Sequence, residues 1–339
     1  MHDFIIFTIG GLATASIYAI TASGLTLTYA TTGIFNWSHG AIGMLAAYAY
    51  WQMHIGWGWP TLVSFAICLF VLAPVLGIVL EVGVMRRLEG TSEAAKLVVT
   101  LALALSMVGI AQWIWDPQTY RALPPLFSGD TLVIGAIRIS YNDVVVLAVA
   151  LGVAIGLRML LYRTRMGVTM RASVDDRTLT TLNGASSVRS ARSAWVVGCV
   201  LAALAGILVA PTVTLSATAL TLLIVDAYAA SVIGRLRSIP MTFLGAIILG
   251  LAVSYSVAYL PSNPYVHGFE GAVPAVVLFV SLLLLPQSRL RGHGLLRSRE
   301  LALVPTWRGK RRAWCRAAIS ASQPITACPP ITSTRRSRC

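Results

Sequence analysis

The sequence predicts an all-α fold, a polytopic transmembrane helical bundle of about eight or nine spans, and three observations carry that prediction. Hydrophobic residues make up 57% of the 339-residue chain and charged residues only 11%, where a soluble domain carries about 25% charged residues. Apolar runs of membrane-crossing length recur through residues 1–287. Lysine and arginine collect in alternate gaps between the runs, as expected of loops on one side of a bilayer. No second compositional block is large enough for a soluble catalytic domain.

In order, the runs cover residues 4–29, 38–54, 60–84, 95–115, 142–162, 193–213, 219–234, 239–260 and 271–286. The first begins at Phe4 with no basic segment before it and no clear cleavage pattern after it, so it is expected to persist as a helix. Runs 38–54 and 219–234 are short for a straight crossing at about 1.5 Å per residue, so one of them is expected to be re-entrant or strongly tilted. Gly152/Gly156 and Ala202/Gly206 place small residues four apart, a spacing that lets helices approach closely.

The basic gaps set the orientation. Arg86, Arg87 and Lys96 border one, residues 163–192 form a second, and Arg235 and Arg237 mark a third. With nine spans all three, and the tail, fall on one side, which is expected to be cytoplasmic with the N-terminus outside. The opposite gaps agree: in 116–141 Arg121 and Arg138 face Asp116 and Asp130, and 261–270 holds no Lys or Arg. Trp51, Trp57 and Trp59 suit the outer interface, where indoles prefer to sit.

After Ser288 the tail holds twelve Lys/Arg against the single Glu300, so it supplies +11 of the total charge of +14. Residues 288–339 are expected to form a disordered, solvated cytoplasmic tail, with membrane lipid near it and no nucleic-acid partner. The five cysteines include no CxxC pair or Cys/His cluster, so neither a metal site nor a disulfide framework is expected. The chain also lacks GxxxxGK[ST], HExxH, GxSxG and GxGxxG, which argues against a catalytic chain and against ATP hydrolysis by this subunit.

Three segments stand out against the apolar background. The first is 163–192, with six arginines. Within it Ser173-Val174-Asp175-Asp176 reads as a helix start, a serine N-cap with acids in the first turn, and Asn183-Gly184 reads as a left-handed C-cap. The intervening helix would run about ten residues with Val174, Leu179 and Leu182 on one apolar edge, and it needs a surface to lie on. The second is the hairpin Thr21, Ser23, Thr26, Thr28 and Tyr29 leading into Asn36 and His39. Those last two residues are three apart and suit either one helical face, bonding a freed backbone group, or contact with a polar solute. The third is Asp226, the one carboxylate well inside a run, which reads as part of a permeation path or as a residue pairing with its surroundings.

These residues carry a resemblance. Gly24-Leu25-Thr26-Leu27-Thr28-Tyr29 and Thr32-Gly33-Ile34-Phe35-Asn36-Trp37-Ser38-His39-Gly40-Ala41 resemble the N-terminal signature of permease subunits of high-affinity branched-chain amino-acid ABC transporters. Arg171-Ala172, Asp175-Asp176 and Leu182-Asn183-Gly184 resemble that family's cytoplasmic coupling region, and Val232-Ile233-Gly234, Ser238-Ile239-Pro240 and Leu285-Pro286-Gln287 its later segments. The ordered set covers roughly residues 1–290. In place of the family's two glycines before Leu-Gly-Ser this chain has Gly234-Arg235-Leu236-Arg237-Ser238, and Thr180 and Thr181 replace common alanines. The resemblance implies a multi-pass protein of the bacterial inner membrane that works beside a second permease, two ATP-binding subunits and a periplasmic solute-binding protein. It implies that Arg171, Asp175, Asp176 and Gly184 belong to an ATPase-coupling helix, and that ATP is bound by partners, with no cofactor in this chain. Branched-chain amino acids are the implied cargo, with urea or short amides as the alternative. An ion-coupled secondary transporter using Asp226 is the reading that needs no ATPase.

Overall fold

A computed structural model describes residues 2–124, 131–134, 137–175, 177–184, 186–213, 215–236, 238–259 and 269–284. The tail 288–339, Asp176 and Arg237 lie outside the described residues. The described chain is a helical bundle. Helix α1 covers His2–Thr32, and α2 covers His39–Trp51 and continues into a π-helical turn, Gln52–Gly56. Helix α3 (Thr61–Ile67) runs through a second π turn, Cys68–Leu72, into α4 (Ala73–Gly83), followed by a 3-10 turn at Met85–Leu88. Helices α5 (Glu93–Ile114) and α6 (Tyr141–Arg163) flank a hairpin of β1 (Thr131–Ile134) and β2 (Ile137–Ser140). Then come α7 (Arg165–Asp175), α8 (Arg177–Leu182), α9 (Ser187–Val209), α10 (Ala217–Ile233), α11 (Ile239–Tyr259) and α12 (Phe269–Leu284).

Six of these passes are long and apolar enough to cross a membrane by length and composition, while Ala217–Ile233 and Gly271–Leu284 are shorter apolar helices. Among the described residues the two shorter helices bring the count to the expected eight, and α2 would bring it to nine. The β hairpin, antiparallel with Thr131 opposite Ser140 and Ile134 opposite Ile137, is an addition to the expected all-helical chain. It joins two short β-branched runs, which favour a pleated strand over a helix.

Helix α1 is the centre of the bundle and packs on α11, α9, α10 and α6, while α9 also packs on α2 and α4. Lipid is as apolar as a leucine side chain, so burial of oil alone does not join helices in a bilayer; close packing of small residues and interhelical hydrogen bonds do. This bundle uses both. Gly206 of α9 lies directly against the Gly43 backbone of α2, so a Cβ there would overlap it, and a Cβ on Gly250 of α11 would sit 2.6 Å from the Ala15 backbone of α1. The Ala202/Gly206 spacing thus meets a partner helix. Gly152 and Gly156 do not: a Cβ on either meets open space, because they face outward on α6 beside exposed Leu151 and Ile155. Between helices, Ser231 Oγ donates to the Ala22 carbonyl at 3.2 Å, and the Thr26 and Thr242 hydroxyls are 3.2 Å apart.

Several other hydroxyls of α1 bond within their own helix. Thr21 donates to the Ile17 carbonyl at 2.9 Å, Ser23 to Ile20 at 2.8 Å and Thr31 to Leu27 at 2.8 Å. That back-bonding is how a hydroxyl is tolerated in an apolar helix.

Candidate functional site

The described basic gaps meet at one end of the bundle, and the 163–192 segment supplies most of that end. Helix α6 stops at Arg163, and Thr164 then caps α7: the Gly167 N–H donates to Thr164 Oγ1 at 3.0 Å. The corner is tight enough that a Cβ on Gly167 would overlap the Leu160 carbonyl. Met170 is 1% exposed within the same apolar core as Leu157 and Leu161 of α6. Helix α7 packs on α6, α9 and α1, so this short helix is seated on the bundle rather than free.

Arg171 lies on α7 with its guanidinium 4.2 Å over the Tyr162 ring, a cation–π contact. Ser173 is inside α7, not at its start, and its hydroxyl donates to the Thr169 carbonyl at 2.7 Å. The expected single helix from Ser173 to Asn183 is therefore two helices. The reason is tertiary: Thr164 caps earlier, and Gly167 and Met170 anchor residues 165–172 as helix. Asp175 ends α7, α8 follows from Arg177, and Asp176 lies outside the described residues. Gly184 follows α8 with φ +80°, and its N–H donates to the Thr181 carbonyl at 3.0 Å, as a left-handed cap requires. Thr180 is buried, Thr181 is exposed and Leu182 is 78% exposed, while the Val174 and Leu179 side chains lie outside the described residues.

A buried ion cluster ties this end together, and the sequence reading missed it. Glu81 of α4 is 3% exposed and accepts bonds from Arg86 at 2.9 and 3.0 Å. Arg192, in the second turn of α9, donates to the same carboxylate at 3.3 Å. Helix α9 begins at Ser187, capped by Ser186, so the last six residues of the basic segment are helical and deliver Arg192 to Glu81. The signal available in sequence was a lone glutamate at the end of an apolar run five residues before an arginine.

The remaining candidates lie in the interior. Asn36 and His39 are each 1% exposed. They do not share a helical face: residues 33–36 carry no helix, and His39 is the first residue of α2. Asn36 Oδ1 instead accepts the Ser38 N–H at 3.1 Å and the Ser38 hydroxyl at 2.6 Å, holding the backbone where the helix is broken. The Phe35 carbonyl takes the Thr100 hydroxyl of α5 at 3.0 Å, and a Cβ on Gly24 would lie 3.0 Å from the His39 ring. This non-helical stretch begins at exposed Gly33 near the basic end and packs Ile34, Asn36 and Ser38 into the protein. Asp226, half-buried midway along α10, interacts with the Tyr18 hydroxyl of α1.

Repeated apolar helices of membrane-crossing length around a tightly packed core define the class, a multi-pass helical membrane protein. The family model described as "Branched-chain amino acid transport system / permease component" matches residues 7–285, and the chain belongs to that family. It is 26% identical to the high-affinity branched-chain amino acid transport system permease protein LivH of Escherichia coli strain K12, over 81% of this chain and 92% of that protein. It is likewise 26% identical to the permease protein BraD of Pseudomonas aeruginosa, over 73% of this chain and 84% of that one. The probable branched-chain amino acid transport permease protein LivH of Methanocaldococcus jannaschii is 26% identical over 84% of this chain and 91% of its own length. No solved structure matches the chain.

Proposed function

We propose that this chain is the membrane-spanning half of an ATP-driven importer of branched-chain amino acids, and that α7 and α8 are its ATPase-coupling element. It works in the inner membrane beside a second permease, two ATP-binding subunits and a periplasmic solute-binding protein, with its basic end in the cytoplasm. The observation that carries the reading is the seating of α7. It contacts α6, α1 and α9 at once, so a push on α7 is delivered to the central helix and to the helix that grips α2 and α4. This element offers apolar groups for a soluble partner, with Met166, Val168 and Leu182 exposed by 46, 50 and 78%, and Arg163, Arg165 and Arg171 exposed in the same segment. Within it Arg171 and Gly184 hold the shape, the first by stacking on Tyr162 and the second by closing α8. Nucleotide closure can shift the access state only through contacts that differ between states, and a docked α7–α8 is placed to make them.

The test is uptake of labelled leucine into proteoliposomes holding this chain with its co-expressed partners. Uptake is expected to require internal ATP and the solute-binding protein, and to survive Asp226→Asn. Uptake driven by an ion gradient without nucleotide, and lost in Asp226→Asn, contradicts the reading and supports a secondary transporter instead.

A further inference from the structure

Helices α6 and α11 both pack on α1, and a cleft of about 800 Å³ remains between them. Its wall is apolar over most of its length, with Leu27, Ile155, Leu161 and Phe243 lining it. The flank of α6 beside it presents Leu151, Ile155 and Met159 outward, each more than half exposed, as a hydrocarbon-facing surface does. At the basic end the lining changes to Arg158, Tyr162, Arg171 and Ser238. Among the described residues no carboxylate lines the cleft and neither arginine has an ion-pair partner.

Two exposed guanidiniums at the basic mouth of an apolar cleft offer paired positive charge to an anion at the bundle's end. The chemistry of the lining selects which anion. A free amino acid brings an ammonium group, for which the described lining offers no acid. A free phosphate would leave the apolar wall unused. An anionic phospholipid fits both parts: a phosphate for the two arginines and the Ser238 hydroxyl, and an acyl chain for the wall. We propose that the α6–α11 cleft is a seat for an anionic phospholipid, with Arg158 and Arg171 holding the headgroup phosphate. Occupied, the seat binds α6 and α7 to α11 through one ligand. The lipid thereby becomes a brace for the end of the bundle that carries α7.

Native mass spectrometry of the full chain released from detergent tests this, with added phosphatidylglycerol, phosphatidylcholine or inorganic phosphate as probes. Retained phosphatidylglycerol adducts are expected in preference to phosphatidylcholine. Removing one arginine is expected to weaken the adduct about fivefold, and Arg158→Gln with Arg171→Gln about thirtyfold, from the worth of an arginine near an anionic headgroup. Arg163→Gln with Arg165→Gln removes equal charge outside the lining and is expected to leave the adducts unchanged. Equal retention of the two lipids overturns the proposal, as does equal loss in both double variants. Displacement of the lipid by inorganic phosphate or by leucine also overturns it. So does disappearance of the adduct when the chain is purified in its complete complex, which would make the cleft a subunit interface.

Discussion

Removing Glu81 should hurt this protein less than removing the two arginines that hold it. The Glu81 side chain is 4% exposed, whereas those of Arg86 and Arg192 are 36 and 42% exposed. In Glu81→Gln both guanidiniums can turn to water, so the loss is that of two partly screened pairs, about 1–2 kcal/mol. In Arg86→Met with Arg192→Met the carboxylate stays 4% exposed and loses both of its bonded counter-charges. Breaking a buried pair from that side costs about 3–5 kcal/mol. Replacing all three by apolar residues (Glu81→Leu, Arg86→Met, Arg192→Met) removes the stranded charge and should recover much of the loss. Equilibrium unfolding of the detergent-solubilised chain by SDS titration measures the order. A Glu81→Gln as damaging as the double arginine variant, or a triple variant with no recovery, would refute this order.

Other perturbations follow from single contacts. Gly206→Ala sets a methyl against the Gly43 backbone, which cannot swing aside, and should cost about 1–3 kcal/mol; Gly152→Ala, facing open space, should be neutral or slightly stabilising in the same titration. Arg235 and Leu236 hold left-handed backbone with φ of 57° and 54°, a conformation that costs about 1–2 kcal/mol per L-residue, so Arg235→Gly should raise stability by about 1 kcal/mol. Thr164→Ala removes the cap of α7 and should cost about 1 kcal/mol, seen as faster hydrogen exchange at Gly167 while α9 keeps its protection.

What the sequence made legible was whatever depends on local run length. The ends of most apolar runs fall within a few residues of the helix ends, because a long apolar stretch in a bilayer has to close its hydrogen bonds within itself. The left-handed conformation at Gly184 was legible for a similar reason, since Asn-Gly after a short helix offers little else. The misses are long-range. Ser187 to Arg192 read as loop because they are polar, yet they are helical and Arg192 reaches a glutamate far away in sequence. Ser173 carries the same local pattern as a true cap, and only the burial of Met170 and the fit of Gly167 show that the helix had already begun. Asn36 and His39 read as helical neighbours because spacing cannot show that the chain between α1 and α2 is irregular backbone.

Docking of α7 and α8 on an ATPase is the claim on which the rest depends, and co-purification tests it most directly. The chain is expressed with its ATP-binding subunits, as wild type and as Val168→Asp with Leu182→Asp. Both side chains are half or more exposed, so the bundle should keep its unfolding midpoint. The account predicts that wild type retains the ATPase through purification and that the variant loses most of it. Undiminished ATPase on the correctly folded variant would contradict the assignment.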